Sequence, residues 1–208
     1  LDILISLVGL IFLSPVILIV AILVRIKIGS PVIFKQERPG KDGKIFRLYK
    51  FRSMSDKKDK NGKLLPDNER LTKFGRILRA TSLDELPELV NILKGEMSLI
   101  GPRPLAVCYL PYYNEKEKHR HDVRPGLTGL AQINGRNTLN WEDRFAYDIE
   151  YVNNITFKSD LKILFKTFYK VIKKDGVVTR GSGKTIDFDE YRKNQLKNRG
   201  EQEWKKEY

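Results

Sequence analysis

The sequence predicts a mixed α/β fold that is mostly helical, with one small β-hairpin, a membrane helix at the N-terminus and amphipathic helices at a lipid interface. Three observations predict it. No charged residue occurs from Ile3 to Val24. Two short β-rich runs flank the turn-rich segment Pro39-Gly40-Lys41-Asp42-Gly43. Apolar residues recur at helical spacing through residues 71–78, 86–93 and 161–172.

The uncharged N-terminal stretch, at 1.5 Å per residue, gives about 33 Å of helix, enough for the roughly 30 Å hydrocarbon layer. No basic stretch precedes it here and no small-residue cleavage site comes after it, so a secretory signal is a poor fit. Ser14-Pro15 falls midway. Proline removes a helical hydrogen bond, and the serine hydroxyl can take up the carbonyl it frees. The residues admit two arrangements: a kinked spanning helix, or a helix-break-helix that enters one leaflet and returns. Arg25 and Lys27 place the chain beyond them on the cytoplasmic side by the positive-inside rule.

The 208 residues suit one domain with an appendage, and the net charge of +13 points to anionic partners: nucleic acid, an acidic membrane surface or a phosphorylated substrate. One cysteine, Cys108, excludes a disulfide framework or zinc cluster and agrees with a reducing, cytosol-facing location. Its neighbours Val107, Tyr109 and Leu110 predict packing rather than catalysis for Cys108. His119 and His121 lie in the charged run 115–122, which reads as a solvated helix face and not a metal pair.

Pro31–Lys35 and Lys44–Lys50 read as the two strands of the hairpin, followed by Lys50-Phe51-Arg52-Ser53-Met54. Residues 56–63 are almost all charged and read as a surface loop. Leu71, Phe74, Ile77 and Leu78 predict a helix carrying Arg76 and Arg79 up to Ser82-Leu83-Asp84-Glu85-Leu86-Pro87.

Asp84 and Glu85 have a structural and a chemical reading. Ser82 with Glu85 three residues on is a capping-box pattern, and acidic residues favour a helix N-terminus. Pro87 argues against it, because a helix begun at Ser82 would need that amide. A helix starting near Pro87 frees both carboxylates and aims backbone N–H groups forward, where phosphate binds. Carboxylates beside an anion need a divalent cation or arginines between them. Arg76, Arg79 and Arg103 are close in sequence, and Mg²⁺ is the oxygen-preferring metal.

Downstream come Met97-Ser98-Leu99-Ile100-Gly101-Pro102-Arg103-Pro104 and the loop 124–137, where three glycines and two arginines suit close approach to a phosphate. Trp141–Val152 reads as a helix. Residues 158–174 carry six lysines against one aspartate around an apolar stripe, which predicts an interfacial helix. Gly181-Ser182-Gly183-Lys184-Thr185 is not a P-loop, since Val178 stands where the motif needs glycine. The last twenty residues are polar and read as an exposed tail.

In this order, Ser14-Pro15, Lys50-Phe51-Arg52-Ser53-Met54, Ser82–Pro87, Met97–Pro104 and Arg124-Pro125-Gly126-Leu127-Thr128-Gly129 resemble the bacterial sugar transferases. More narrowly, the chain is similar to the monotopic, PglC-like polyprenol-phosphate phosphoglycosyl transferases, over residues 1–175. The resemblance implies an N-terminal re-entrant membrane helix broken at Ser14 and Pro15 (residues 1–28), a cytosolic catalytic domain (29–175) and a C-terminal extension (176–208). It implies that Asp84 attacks the β-phosphate of a UDP-sugar, expels UMP and forms a phosphosugar–aspartyl intermediate, which polyprenol phosphate then resolves. Glu85 would manage the acceptor's proton, and Mg²⁺ would sit at Asp84. Lys50, Arg79, Arg103, Pro104, Arg124 and Arg136 are the implied substrate contacts. The implied setting is the cytoplasmic face of the bacterial inner membrane, at the first membrane step of glycan assembly, with UDP-N,N′-diacetylbacillosamine or a similar acetamido sugar as donor.

Two other readings compete. A UDP-releasing glycosyl transferase would move only the sugar. A membrane-tethered basic module would bind without chemistry, but no nucleic-acid motif is present.

Overall fold

The structure is a computed structural model and describes residues 1–135, 139–173 and 186–207. Its helices are α1 (Asp2–Lys27), α2 (Asp67–Arg70), α3 (Lys73–Ala80), α4 (Glu88–Leu93), α5 (Glu115–Lys118), α6 (Leu130–Asn134), α7 (Trp141–Asn153), α8 (Phe157–Lys173) and α9 (Phe188–Glu207). Strands β1 (Ile33–Pro39) and β2 (Ile45–Phe51) form the expected antiparallel hairpin, pairing Ile33 with Phe51 and Pro39 with Ile45. A second two-stranded sheet was not foreseen: β3 (Ser98–Ile100) pairs in parallel with β4 (Gly126–Thr128).

Helix α1 is long and apolar enough to cross a membrane. It is not broken at Ser14-Pro15, because the helix runs through both residues. The Ser14 hydroxyl donates to the Ile11 carbonyl at 2.7 Å, the acceptor that Pro15 cannot reach. Both halves of α1 touch the rest of the fold. Asp2 accepts from the Leu99 amide at 3.5 Å, and Gly9 lies against Leu89. Val20 and Val24 are buried with Phe51 of β2 and Leu78 of α3. The opposite side leaves Leu4, Ile11, Phe12, Leu18, Ile19 and Ile22 exposed.

The central core joins β2, α4, β3, α6, α7 and α8 through Phe46, Leu48, Leu89, Ile92, Met97, Ile100, Ile133, Tyr151 and Ile163. Helix α8 buries Ile163 here and keeps Phe157, Leu161, Phe165 and Phe168 exposed on its other side. Helix α4 is stitched to β2 by Asn91, whose side chain accepts from the Tyr49 amide at 3.0 Å and donates to the Arg47 carbonyl at 2.7 Å.

Four expectations are corrected. The run 115–122 is not simply solvated: Glu117 and Arg120 are buried, and half-buried His121 packs edge-on against Tyr113. Cys108 is exposed, and its neighbour Tyr109 does the packing. Fourteen residues from 124 do not form one open loop, since they contain β4 and α6. The last twenty residues are not an exposed tail throughout, since Arg192 is held by Glu117, and residues 186–188 just before them are docked as well. Phe188, fully buried, sits among Tyr109, Tyr113, Trp141 and Phe145. Asp187 accepts from the Tyr109 hydroxyl at 2.9 Å, the Ile186 carbonyl accepts from the Trp141 indole at 3.0 Å, and Arg192 pairs with Glu117 at 2.5 Å. The segment 181–185 lies outside the described residues.

Gly75 shows how closely α3 lies on the segment after β2. A Cβ there would stand 1.8 Å from the Ser53 carbonyl oxygen. An unobstructed helical glycine gains up to about 1 kcal/mol on becoming alanine. Gly75→Ala is instead expected to destabilise the fold by about 1–3 kcal/mol, through overpacking against backbone. Thermal unfolding of the detergent-solubilised protein checks the sign.

Candidate active site

Asp84 and Glu85 lie together in a short 3₁₀ turn, Leu83–Glu85, between α3 and α4. Ser82 enters the turn with left-handed backbone, φ 56°, and makes no side-chain capping bond, so the capping-box reading is set aside. Helix α4 starts directly after Pro87, as the proline implied. The forward-facing amides do not materialise as expected. Those of Glu85, Leu86, Leu89 and Val90 bond to the Ser82, Leu83, Leu86 and Pro87 carbonyls. The positive charge around the turn comes from side chains.

Lys50 at the end of β2 supplies one. Its ammonium stands 2.9 Å from Glu85 and 2.9 Å from Glu88, the first residue of α4. Arg103 supplies a second, with Nη2 2.5 Å from Glu85 Oε1. Arg79, on the last turn of α3, donates from Nε to the Ser53 hydroxyl at 3.0 Å, and its charge reaches Asp84. The fold thus gathers Asp84, Glu85, Lys50, Arg79 and Arg103 from three separate sequence segments.

Other expected residues stand elsewhere. Arg76 is exposed. Pro104 is buried and restricts the backbone beside Arg103. The Arg124 side chain is exposed, while its carbonyl approaches Gly101. Arg136 lies outside the described residues. Arg52 is buried and structural: it donates to the Ser30 and Met54 carbonyls and pairs with Asp56.

The glycines of the 124–137 segment serve a different approach from the one expected. A Cβ on Gly126 would stand 2.1 Å from the Gly101 nitrogen, and one on Gly129 2.1 Å from the Gly101 oxygen. They let β4 press against the loop that carries Arg103. Gly101 donates to Thr128 at 2.9 Å, and Gly126 to Pro102 at 3.0 Å.

Electrostatics separate the carboxyls. Burial, then the neighbouring Glu85 charge, pushes Asp84 up to about 6, and Lys50, Arg79 and Arg103 only partly offset this. Burial opposes ionisation of Glu85 too, but Arg103 and Lys50 outweigh it and hold its carboxyl well below the usual range. Glu88, 1% exposed, is pushed up to about 7, chiefly by burial.

Among the described residues no group of three or more acidic, His or Cys side chains forms a metal cage. Mg²⁺ does not require one, because it keeps waters and takes one or two carboxylates plus substrate phosphates. Asp84, a carboxyl set directly beside the Glu85 carboxylate in the same turn, offers an oxygen of the kind such a half-site takes.

Residues 1–174 match the family profile of bacterial sugar transferases. The chain belongs to that family. It is 57% identical over 164 residues to the Uncharacterized sugar transferase EpsL of Bacillus subtilis (strain 168), covering 79% of this chain and 81% of that one. It is 44% identical over 179 residues to a UDP-glucose:undecaprenyl-phosphate glucose-1-phosphate transferase of Klebsiella pneumoniae, covering 81% of this chain and 38% of the relative. A Salmonella typhimurium undecaprenyl-phosphate galactose phosphotransferase is 41% identical over 165 residues, covering 71% and 35%. The chain therefore spans well under half the length of these last two relatives, whose names give a reaction.

Two residues of this sugar transferase's site escaped sequence reading. Glu88 is three residues after Glu85, a spacing that shares a helix face and could have drawn it in. Asn91, which ties α4 to β2, carried no signal, since its partners are the β2 backbone and the Glu96 carboxylate.

Because the fold raises Asp84 and Glu88, the folded state keeps their protons to higher pH than the unfolded chain. Their contribution to stability is full in acid and lost as pH rises through about 6 to 7. Glu88→Gln is expected to stabilise the protein at pH 8 by roughly 2–3 kcal/mol and to give no gain at pH 4. Unfolding curves at the two pH values test this; an equal difference at both would contradict it.

Proposed function

We propose that this sugar transferase moves a sugar phosphate from a UDP-sugar to polyprenol phosphate and releases UMP. The observation that carries the reading is the adjacent carboxyl pair in different surroundings: Glu85 is held by Lys50 and Arg103, while Asp84 beside it is a buried carboxyl that neither of these ion pairs engages. The names of the Klebsiella and Salmonella relatives support the reaction class.

In the first half, an Asp84 oxygen attacks the β-phosphorus of the donor. The bond from that phosphorus to the bridging oxygen breaks, and UMP leaves with the electron pair. Splitting the transfer through a covalent ester replaces one difficult displacement with two easier ones. In the second half, a phosphate oxygen of polyprenol phosphate attacks the same phosphorus, and Asp84 departs as carboxylate. Lys50, Arg79 and Arg103 stabilise the phosphoryl charge. Glu85 keeps two of these cations in place, and takes the acceptor's proton once phosphate draws them off it. Bound at Asp84, Mg²⁺ would neutralise diphosphate charge so that a carboxylate can approach.

The donor implied by PglC-like resemblance is UDP-N,N′-diacetylbacillosamine or a similar acetamido sugar, although two relatives are named for glucose and galactose. The setting proposed is the cytoplasmic face of the bacterial inner membrane, entered from one side only. What supports one-sided entry is that both halves of α1 pack on the same domain, Asp2 at Leu99 and Val24 in the cluster that holds Leu78. The exposed apolar side of α8, with its lysines, suits the interface.

Incubation with Mg²⁺ and a panel of UDP-glucose, UDP-galactose and UDP-N,N′-diacetylbacillosamine, without lipid, should leave a phosphosugar on the peptide containing Asp84. Mass spectrometry detects it, and Asp84→Asn should abolish both adduct and UMP. Release of UDP instead would establish glycosyl transfer, and no product at all a binding module. Chelation by EDTA should stop UMP release, with recovery on adding Mg²⁺; undiminished turnover in EDTA would remove the metal from the scheme.

A further inference from the structure

Arg120 and Asp148 form an ion pair that the reaction does not use directly. Their side chains are 1% and 2% exposed. Arg120 Nε and Nη2 donate to Asp148 Oδ2 at 3.0 and 2.8 Å. A buried pair of this kind is weak as a source of stability, since desolvation offsets its attraction and a packed apolar pair would serve as well. Its other contact gives it a purpose. Nη2 also donates to the Arg103 carbonyl at 2.7 Å. That is the backbone of the residue whose guanidinium meets Glu85.

We propose that Arg120, oriented by Asp148, is a positioning residue for Arg103, setting where its guanidinium meets the donor's diphosphate. The inference rests on the phosphate role proposed for Arg103. Arg103 is flanked by Pro102 and Pro104, so its segment lacks two amides that could otherwise anchor it. The carbonyl is then the natural handle on this turn. The Arg120 guanidinium is itself held: Nη1 donates to the Tyr113 hydroxyl at 3.4 Å, and its central carbon lies 5.7 Å from the Tyr113 and Phe145 ring centres. A fork that is fixed on three sides transmits its position to the carbonyl rather than yielding to it.

The test is a double-mutant cycle on the full chain in detergent. UMP release is measured with undecaprenyl phosphate and whichever UDP-sugar of the panel turns over. Arg120→Lys, which keeps the charge but loses the fork, is expected to lower kcat/KM by about 10- to 100-fold, mainly through a higher KM for the donor. In an Arg103→Met background the same substitution should cost no more than about 2-fold. A stability role alone would give equal losses in both backgrounds, and that result overturns the inference while leaving Arg103 in place. If Arg103→Met costs nothing by itself, the phosphate role of Arg103 fails and the inference falls with it. Asp148→Asn, which keeps an acceptor oxygen and nearly the same volume, carries the same cycle if Arg120→Lys does not fold.

Discussion

The constraint on which the rest depends is charge balance around a buried acidic turn. Glu85 and Glu88 share the Lys50 ammonium at 2.9 Å each, and Arg103 adds a second cation on Glu85. A carboxylate removed from water without such partners would take up a proton instead of staying charged. The hairpin, α3 and α4 can be understood as the means of delivering these groups. Lys50 stands one residue before the end of β2, Arg79 one residue before the end of α3, and the turn between α3 and α4 presents Asp84. Burial and the adjacent Glu85 charge leave Asp84 the more basic of the pair, while Arg103 and Lys50 hold Glu85 ionised.

Backbone contact, more than side-chain bulk, sets the spacing of these parts. Gly75 lets α3 lie directly on Ser53, and Gly101, Gly126 and Gly129 let β3, β4 and the Arg103 loop touch through main-chain atoms. Around them Tyr151 donates to the Ile100 carbonyl at 3.2 Å, and the hydroxyls of Thr128 and Thr167 meet at 2.7 Å. The cost of such contacts is low tolerance, since any Cβ at these glycines needs the backbone opposite to move.

Local patterns in the chain revealed much of this. The uncharged run, the two β-rich runs around the turn and the periodic Leu71–Leu78 segment each carry their signal in adjacent residues. A helix, a hairpin and α3 formed there, with α1 unbroken, β1 running on to Pro39 and Leu71 outside α3. Pro87 correctly moved the start of α4 past the acidic pair. The hidden features depend on residues far apart. Strands β3 and β4 have three residues each and pair across more than twenty others, too short for any periodicity to show. Arg120 looks like one more charge in a solvated run, and only the fold brings Asp148 to it, 28 residues on. The glycines of 124–137 announced a close approach without saying to what. Phe188 is one ring in a polar stretch and gave no hint of the cage that receives it.

That ring alters where the folding unit ends. The family match stops at residue 174, and every side chain placed in the described active site precedes it. Yet the cage of Tyr109, Tyr113, Trp141 and Phe145 is filled by a residue fourteen positions later, and Tyr113 in turn borders Arg120. A fragment cut at the family boundary would keep the chemistry and lose the plug, leaving a ring-sized void one side chain away from the pair that grips the Arg103 loop. In this chain the shared catalytic region is completed by sequence from beyond it, threaded back as a keystone.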